Sequence, residues 1–104
     1  MKLLVLAPTR ELALQVSNEI RSLKNSMSEF EVVPVFGGAS MASQISALKR
    51  KCDILVATPG RLMDLYDKGY INFSNLRTIC IDEADYMLER GFHEDINYIY
   101  ERIM

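Results

Sequence analysis

Residues 78–85 read Thr-Ile-Cys-Ile-Asp-Glu-Ala-Asp, an apolar run of strand length that passes directly into three carboxylates. An apolar strand followed by carboxylates is an arrangement that holds Mg²⁺ beside a nucleotide. Mg²⁺ keeps several waters, so Asp82 alone can be its protein ligand. Glu83 would then polarise the water that attacks a γ-phosphate. The same residues also favour the N-terminus of a helix that follows a strand, and the cluster by itself fits both interpretations equally well.

Three more apolar runs of strand length precede this one, at residues 2–7, 32–36 and 54–57. Between and after the runs, apolar residues recur at the three- and four-residue intervals of amphipathic helices. Strands and helices that alternate in this way predict an α/β fold, a parallel sheet with helices on both faces in the order (βα)4. The predicted buried stripes of the helices are Leu12, Val16, Ile20 and Leu23; Met41, Ile45 and Leu48; and Phe92, Ile96, Ile99 and Ile103.

Helix starts and one strand position are marked by individual residues. Thr9 is placed to cap the first helix. Thr58 followed by Pro59 predicts the start of another helix, because proline is favoured at the first helical position. Pro34 removes one backbone donor from its strand, which predicts an edge position or an irregular strand.

The composition is that of one small globular domain, with 49% hydrophobic and 25% charged residues among 104. No apolar run approaches the roughly 20 residues of a membrane helix, so no membrane partner is expected. The net charge of −2 gives no indication of a nucleic-acid partner. Cys52 and Cys80 match no metal-binding spacing, and each lies beside an apolar run. Both are predicted to be buried free thiols in a reducing compartment, rather than a disulfide.

Polar clusters follow the other strands as well, where a parallel sheet forms its ligand crevice. They are Pro8-Thr9-Arg10-Glu11, Gly37-Gly38 and Thr58-Pro59-Gly60-Arg61. A hydroxyl and free amides at a helix N-terminus, with an arginine in the first turn, can bind an anion, and two such sites can hold successive phosphates of a strand. The alternative is two ordinary capped helices and a glycine pair that ends a strand. For each cluster in isolation, that alternative is favoured.

Taken together and in this order, the clusters resemble four motifs of the DEAD-box ATP-dependent RNA helicases. Residues 8–13 (PTRELA) resemble motif Ia, Gly37-Gly38 the glycine doublet, residues 58–61 (TPGR) motif Ib and residues 82–85 (DEAD) motif II. The resemblance covers nearly the whole chain. It implies a partial RecA-like domain, that is, a P-loop NTPase fold.

The resemblance also implies roles for individual residues. Asp82 would hold Mg²⁺ through water, Glu83 would activate the hydrolytic water, and Asp85 would link the nucleotide site to the rest of the catalytic machinery. A second set would lie along the sugar–phosphate backbone of RNA and bind it without reading its sequence. That set is Pro8, Thr9, Arg10, Gly38, Thr58, Gly60 and Arg61. Contacts of this kind would explain how a chain of net charge −2 binds RNA.

The sequence departs from the family pattern in what it lacks, since it contains no G-x-x-x-x-G-K-[ST] phosphate loop. The Ser-Ala-Thr motif and the second RecA-like domain are also missing from it. We therefore expect residues 1–104 to be a partial N-terminal RecA-like domain that binds neither ATP nor Mg²⁺ alone and is inactive alone. ATP, Mg²⁺, RNA and the second domain would be partners of a full-length, intracellular RNA helicase, cytoplasmic or nuclear. The alternative is a truncated, non-catalytic RNA-binding module, and unpaired strand edges predict self-association.

Overall fold

The computed structural model describes residues 1–23, 30–83, 85, 87 and 90–103. Within these ranges four strands alternate with four helices, in the predicted order. The strands are β1 (Leu3–Leu6), β2 (Val32–Val35), β3 (Ile54–Ala57) and β4 (Thr78–Ile81). The helices are α1 (Arg10–Ser22), α2 (Met41–Arg50), α3 (Pro59–Asp67) and α4 (His93–Ile103).

The strands form one parallel sheet in the order β2-β3-β1-β4. Leu3 is level with both Ile54 and Thr78, so β1 lies between two neighbours of the same register. β2 and β4 are the edges of the sheet among the described residues. The edge position predicted from Pro34 is therefore confirmed.

The side chains of residues 4–7, at the end of β1 and directly after it, alternate between two buried faces of the sheet. Leu4 and Leu6 join an apolar cluster with residues of α2, α3 and α4, whereas Val5 and Ala7 join a second cluster with residues of α1. All four side chains are at most 5% exposed. Helices thus cover both faces, as predicted, and burial on both sides explains why β1 is a continuous apolar run.

The helix starts agree with the sequence signals, and two details differ, one at the start of α3 and one at the end of α1. Thr9 is the N-cap of α1, and its Oγ1 accepts from Leu12 N at 3.2 Å. Thr58 is the N-cap of α3, but its side chain makes no cap hydrogen bond. The prediction that Leu23 extends the buried stripe of α1 is wrong, because the helix ends at Ser22 and Leu23 is 70% exposed.

The two cysteines are free thiols in different surroundings, so the prediction of burial is only partly right. Cys52 is half-buried, and burial raises the pKa of its thiol to about 11. Cys80 is exposed. It is level with Val5 and therefore faces the α1 side of the sheet, where no described residue covers β4. Hence β4 is covered on one face only, with Ile79 and Ile81 half-buried.

The outer edge of β2 has few free backbone groups. Backbone groups of successive residues in a parallel strand point alternately to the two sides. Those of Glu31 and Val35 face β3, so Val32, Pro34 and Phe36 face outward. Val32 O accepts from Arg21 Nη2 at 3.0 Å, and Phe36 O accepts from Gln44 Nε2 at 3.0 Å. Because proline has no N–H, Pro34 offers no donor to another strand.

The outer edge of β4 is different. Backbone bonds from Thr78 N and Asp82 N run to β1, so the backbone groups of Ile79 and Ile81 point outward. No strand in the described part of the chain pairs with them. None of the described helices has the length and apolar character needed to cross a membrane.

Candidate functional site

The carboxyl ends of the four strands lie side by side, because backbone hydrogen bonds continue the sheet beyond the strands. The bonds are Thr58 N to Val35 O at 3.0 Å, Ala7 N to Ala57 O at 2.9 Å and Asp82 N to Leu6 O at 2.8 Å. Each one places a predicted polar cluster next to the end of a neighbouring strand. The four clusters therefore start along the end of the sheet at which the carboxyl ends of the strands lie. We call this end the rim.

Arg10 begins α1 at the rim and extends over the end of β2. Its guanidinium carbon lies 5.2 Å from the centroid of the Phe36 ring, within the range of a cation–π contact. Gly38, two residues after Phe36, has a left-handed backbone conformation with φ +81°. A Cβ atom added to Gly38 would lie 3.6 Å from Arg10 Nη1. The backbone of the glycine turn and the Arg10 side chain are therefore close neighbours.

Arg61, from the first turn of α3, extends to the same glycine turn from the other side. Its Nη1 donates to Gln44 Oε1 at 2.9 Å, and both terminal nitrogens donate to Ala39 O at 3.4 Å. Gln44 is buried in α2 and donates from Nε2 to Phe36 O at 3.0 Å. The end of β2, the glycine turn, α2 and α3 are thus joined by one set of polar contacts.

Two hydroxyls and two amide-bearing turns complete the rim. Thr9 lies at the start of α1 with its oxygen already used as an acceptor, whereas Thr58 keeps a hydroxyl that makes no cap bond. Gly60 is exposed, with open space where a side chain would be. Pro8 is buried and fixes the turn into α1. The first-turn amides of both helices lie at the rim, and at Gly60 the residue has no side chain to cover them.

The acidic cluster lies at the β4 end of the rim. Asp82 is half-buried, and Glu83 and Asp85 are exposed; Ala84 lies outside the described residues. Glu83 has φ 54°, the left-handed conformation that L-residues rarely adopt. Its carbonyl accepts from Met87 N at 3.0 Å, so a helical turn begins at this strained position. Strain of this kind is often found where a side chain must be held in a functional direction.

The acidic residues give a metal ion few ligands. The described residues contain no group of three or more His, Cys, Asp or Glu side chains arranged to hold one. Asp82 offers a single half-buried carboxylate at this end of the rim, and Mg²⁺ is a metal that needs only one or two protein carboxylates.

Sequence reasoning identified the arginines and glycines of the rim but missed Gln44 and Phe36, which hold them in place. A signal for Gln44 was available. It lies three residues after Met41 and four before Leu48, on the apolar stripe predicted to face the core. A polar residue in that position must find buried hydrogen-bond partners, and those partners turn out to be at the rim.

The comparison with protein families agrees with the geometry. The family described as DEAD/DEAH box helicase matches residues 1–104. The chain belongs to this family.

Similar proteins support the assignment over nearly the full chain. The ATP-dependent RNA helicase DeaD of Buchnera aphidicola is 44% identical over 102 residues, covering 98% of this chain and 17% of the relative. The DEAD-box ATP-dependent RNA helicase CshA of Bacillus subtilis is 43% identical over 100 residues, covering 96% of this chain and 20% of the relative. The chain spans about a fifth of the length of these curated relatives.

Solved structures give the same result for the fold. A DEAD box protein from Methanococcus jannaschii superposes with a TM-score of 0.93 at 38% identity, covering 100% of this chain and 28% of the other. A hypothetical ATP-dependent RNA helicase from Sulfolobus tokodaii gives 0.89 at 47% identity, covering 98% of this chain and 30% of the other. The parallel α/β sheet is therefore that of a RecA-like DEAD-box domain.

The strained backbone of Glu83 generates a prediction about stability. Glycine tolerates the left-handed region and alanine does not, so Glu83→Gly should be more stable than Glu83→Ala by about 1 kcal/mol. Urea denaturation of the two variants measures the difference directly. Glu19, a helical residue of α1, provides the control. There the order should reverse, because glycine destabilises a helix interior relative to alanine. The same order at both positions would contradict the strain at Glu83.

Proposed function

We propose that residues 1–104 form part of the N-terminal RecA-like domain of an intracellular ATP-dependent RNA helicase. In that protein, ATP hydrolysis would be stimulated by RNA and coupled to unwinding of RNA duplexes. The observation that carries the proposal is the rim. Four family motifs start at the carboxyl ends of the strands, and backbone hydrogen bonds between these ends hold the motif starts side by side. The names of the relatives, all ATP-dependent RNA helicases, support the same activity.

The rim is suited to an RNA backbone and poorly suited to reading bases. It offers arginine side chains, hydroxyls and helix N-terminal amides, which are ligands for phosphate and sugar oxygens. We assign this contact to Pro8, Thr9, Arg10, Gly38, Thr58, Gly60 and Arg61. The rim needs no broad basic surface, since each donor is aimed by a helix start or a tight turn. A chain of net charge −2 can therefore hold an anionic strand.

The acidic cluster is assigned to ATP hydrolysis, with Asp82 binding Mg²⁺ through water, Glu83 orienting the attacking water and Asp85 connecting this site to the rest of the machinery. The sequence has no phosphate loop to hold the β- and γ-phosphates. The assignment therefore concerns the whole protein. Residues 1–104 alone are expected to bind neither ATP nor Mg²⁺ strongly and to hydrolyse no ATP.

The catalytic assignment predicts a specific loss in the full-length gene product. Glu83→Gln keeps the size of the side chain but removes its charge, so RNA-stimulated ATP hydrolysis should fall by at least about a hundredfold. ATP binding should persist, because Asp82 is unchanged and the side chain of residue 83 keeps its size. Glu19→Gln, the same change on the exposed side of α1, is the matched control and should hydrolyse ATP normally. Near-normal hydrolysis by Glu83→Gln would exclude the assigned role.

The RNA assignment predicts a loss that depends on position rather than on charge. Arg10→Met in the full-length protein should weaken binding of single-stranded RNA about three- to tenfold. It should also reduce the slope of log affinity against log salt by roughly 0.7, the value for one phosphate contact on a single strand. Both are measurable by fluorescence anisotropy across a salt series.

Arg77→Met is the matched control for this experiment. Arg77 is an exposed arginine directly before β4. It lies at the amino-terminal ends of the strands, whereas the rim lies at their carboxyl ends. Its loss changes the net charge by the same amount. Equal effects of the two substitutions would indicate general electrostatic attraction and would exclude the rim as the binding site.

The second candidate function is a non-catalytic module that binds RNA backbones. One observation favours it. The contacts that link Arg10 to Phe36, and Gln44 to both Phe36 and Arg61, are all made between residues of this chain. The Glu83→Gln experiment separates the candidates. A module would bind RNA in the Arg10-dependent way but show no RNA-stimulated ATP hydrolysis even in the unaltered protein.

We further propose that residues 1–104, prepared alone, self-associate through β4. Ile79 and Ile81 present outward backbone groups and β4 has one uncovered face, whereas the edge at β2 is blocked by Arg21, Pro34 and Gln44. An open strand edge is a template for another strand. The arrangement predicts pairing of β4 with β4 of a second copy.

Light scattering under reducing conditions tests this pairing. The isolated segment should show a dimer or larger species, and Cys80→Lys should shift it toward the monomer, because lysine on an edge strand opposes strand addition. Tyr100→Lys is the control, since Tyr100 is a 43% exposed aromatic of α4 and belongs to no strand. A monomeric unaltered segment, or an equal effect of both substitutions, would overturn the proposal.

A further inference from the structure

Gln44 is an unusual residue for its position, because it is a polar side chain buried in the helix that covers the sheet. It is 6% exposed. Its amide nitrogen donates to Phe36 O at 3.0 Å, and its amide oxygen accepts from Arg61 Nη1 at 2.9 Å. One side chain therefore connects the last residue before the glycine turn with the arginine that begins α3. None of the four helicase motifs contains Gln44.

The bond from Gln44 fixes the orientation of the Arg61 guanidinium. Arginine has five N–H donors in a rigid plane. Three of these five donors are used in hydrogen bonds to Gln44 Oε1 and Ala39 O. Within the described part of the chain, the Nε hydrogen and one Nη2 hydrogen have no hydrogen-bond partner and remain available for an anion. A guanidinium held by its other nitrogens loses little conformational freedom when it binds a phosphate, which is the advantage of a pre-organised donor.

The same contacts fix the glycine turn. Phe36 O and Ala39 O, which stand on either side of Gly37-Gly38, are both held, one by Gln44 and the other by Arg61. Arg10 packs over the Phe36 ring on the opposite side of the turn. Glycines are free to adopt many conformations, so a turn built from two of them needs such contacts to stay in one.

From these contacts we infer that Gln44 is a positioning residue for RNA binding. It acts through Arg61 and the glycine turn, and it makes the donors of two separate motifs behave as one rigid phosphate-binding unit. The inference rests on the proposed RNA-binding function of the rim and adds a residue to it. Gln44 itself contacts no RNA, because its amide is buried and both of its ends are engaged.

A double-mutant cycle in the full-length gene product tests this inference. Gln44→Met keeps a flexible side chain of similar size but removes both hydrogen bonds, and it should raise the Kd for a single-stranded RNA about tenfold. The KM for RNA in RNA-stimulated ATP hydrolysis should rise in parallel, while kcat at saturating RNA stays within about twofold. Gln15→Met is the matched control. It makes the same change at the chain's other glutamine, exposed on α1, and should leave RNA binding unaltered.

The combination with Arg61 distinguishes positioning from general stability. If Gln44 acts through Arg61, the double variant Gln44→Met/Arg61→Met should bind RNA no more than about twofold more weakly than Arg61→Met alone. Independent effects would multiply instead, and multiplication would overturn the inference. Unchanged RNA affinity in Gln44→Met would also overturn it. If the unaltered protein binds no RNA, the proposed function itself fails, which is a distinguishable result.

A second variant leaves the buried residue untouched, in case Gln44→Met does not fold. Arg61→Lys keeps the positive charge but cannot reach Gln44 Oε1 and Ala39 O with one fixed plane. Arg61→Lys should therefore weaken RNA binding as well. The logarithm of its Kd increase should be at least about half of the logarithm of the increase caused by Arg61→Met. Full RNA affinity in Arg61→Lys would show that Arg61 acts only as a charge and that its bracing by Gln44 is irrelevant.

Discussion

The register of β1 with β3 and β4 is the constraint on which the site depends. Leu3 pairs at the level of Ile54 on one side and of Thr78 on the other, so three strands end together and their following residues bond across the rim. β1 is apolar on both faces and specifies this register weakly. β4 specifies it better, because a slip of one residue would turn Thr78 and Cys80 into the core and expose its two isoleucines.

Side-chain contacts then add to the sheet what backbone register cannot provide. The sheet brings the glycine turn and the starts of α1 and α3 to the rim. Hydrogen bonds between strands, however, do not fix the direction of a guanidinium. Phe36 and Gln44 do so, one through its ring and the other through its amide. Both residues belong to the layer beneath the rim. In the proposed function, phosphate would be bound with few charges, because the conformational freedom of those charges is limited.

The sequence predicted the order of strands and helices, the parallel sheet and the edge position of β2, because apolar periodicity and Pro34 report on local geometry. It failed where burial depends on distant partners. Cys80 resembles a core residue within its apolar run, yet only the sheet order shows that α1 does not reach its strand. For the site, residue types pointed to Arg10 and Arg61. The link through Gln44 could not be inferred, since it joins residues 17 positions apart by a contact that only folding creates.

The two edges of the sheet differ in a way that bears on how the domain is built. At β2 the outward carbonyls of Val32 and Phe36 are occupied by side chains of the chain itself, and Pro34 removes the intervening donor. At β4 the outward groups of two isoleucines are left without a described strand. Protecting one edge costs ordered side chains, and it serves a purpose only if that edge is final. The contrast indicates that β2 is built as a final edge of the sheet, whereas β4 is not. A strand added at β4 would end beside Asp82, so extension of the sheet would enclose the acidic cluster and leave the end of the rim at the glycine turn open.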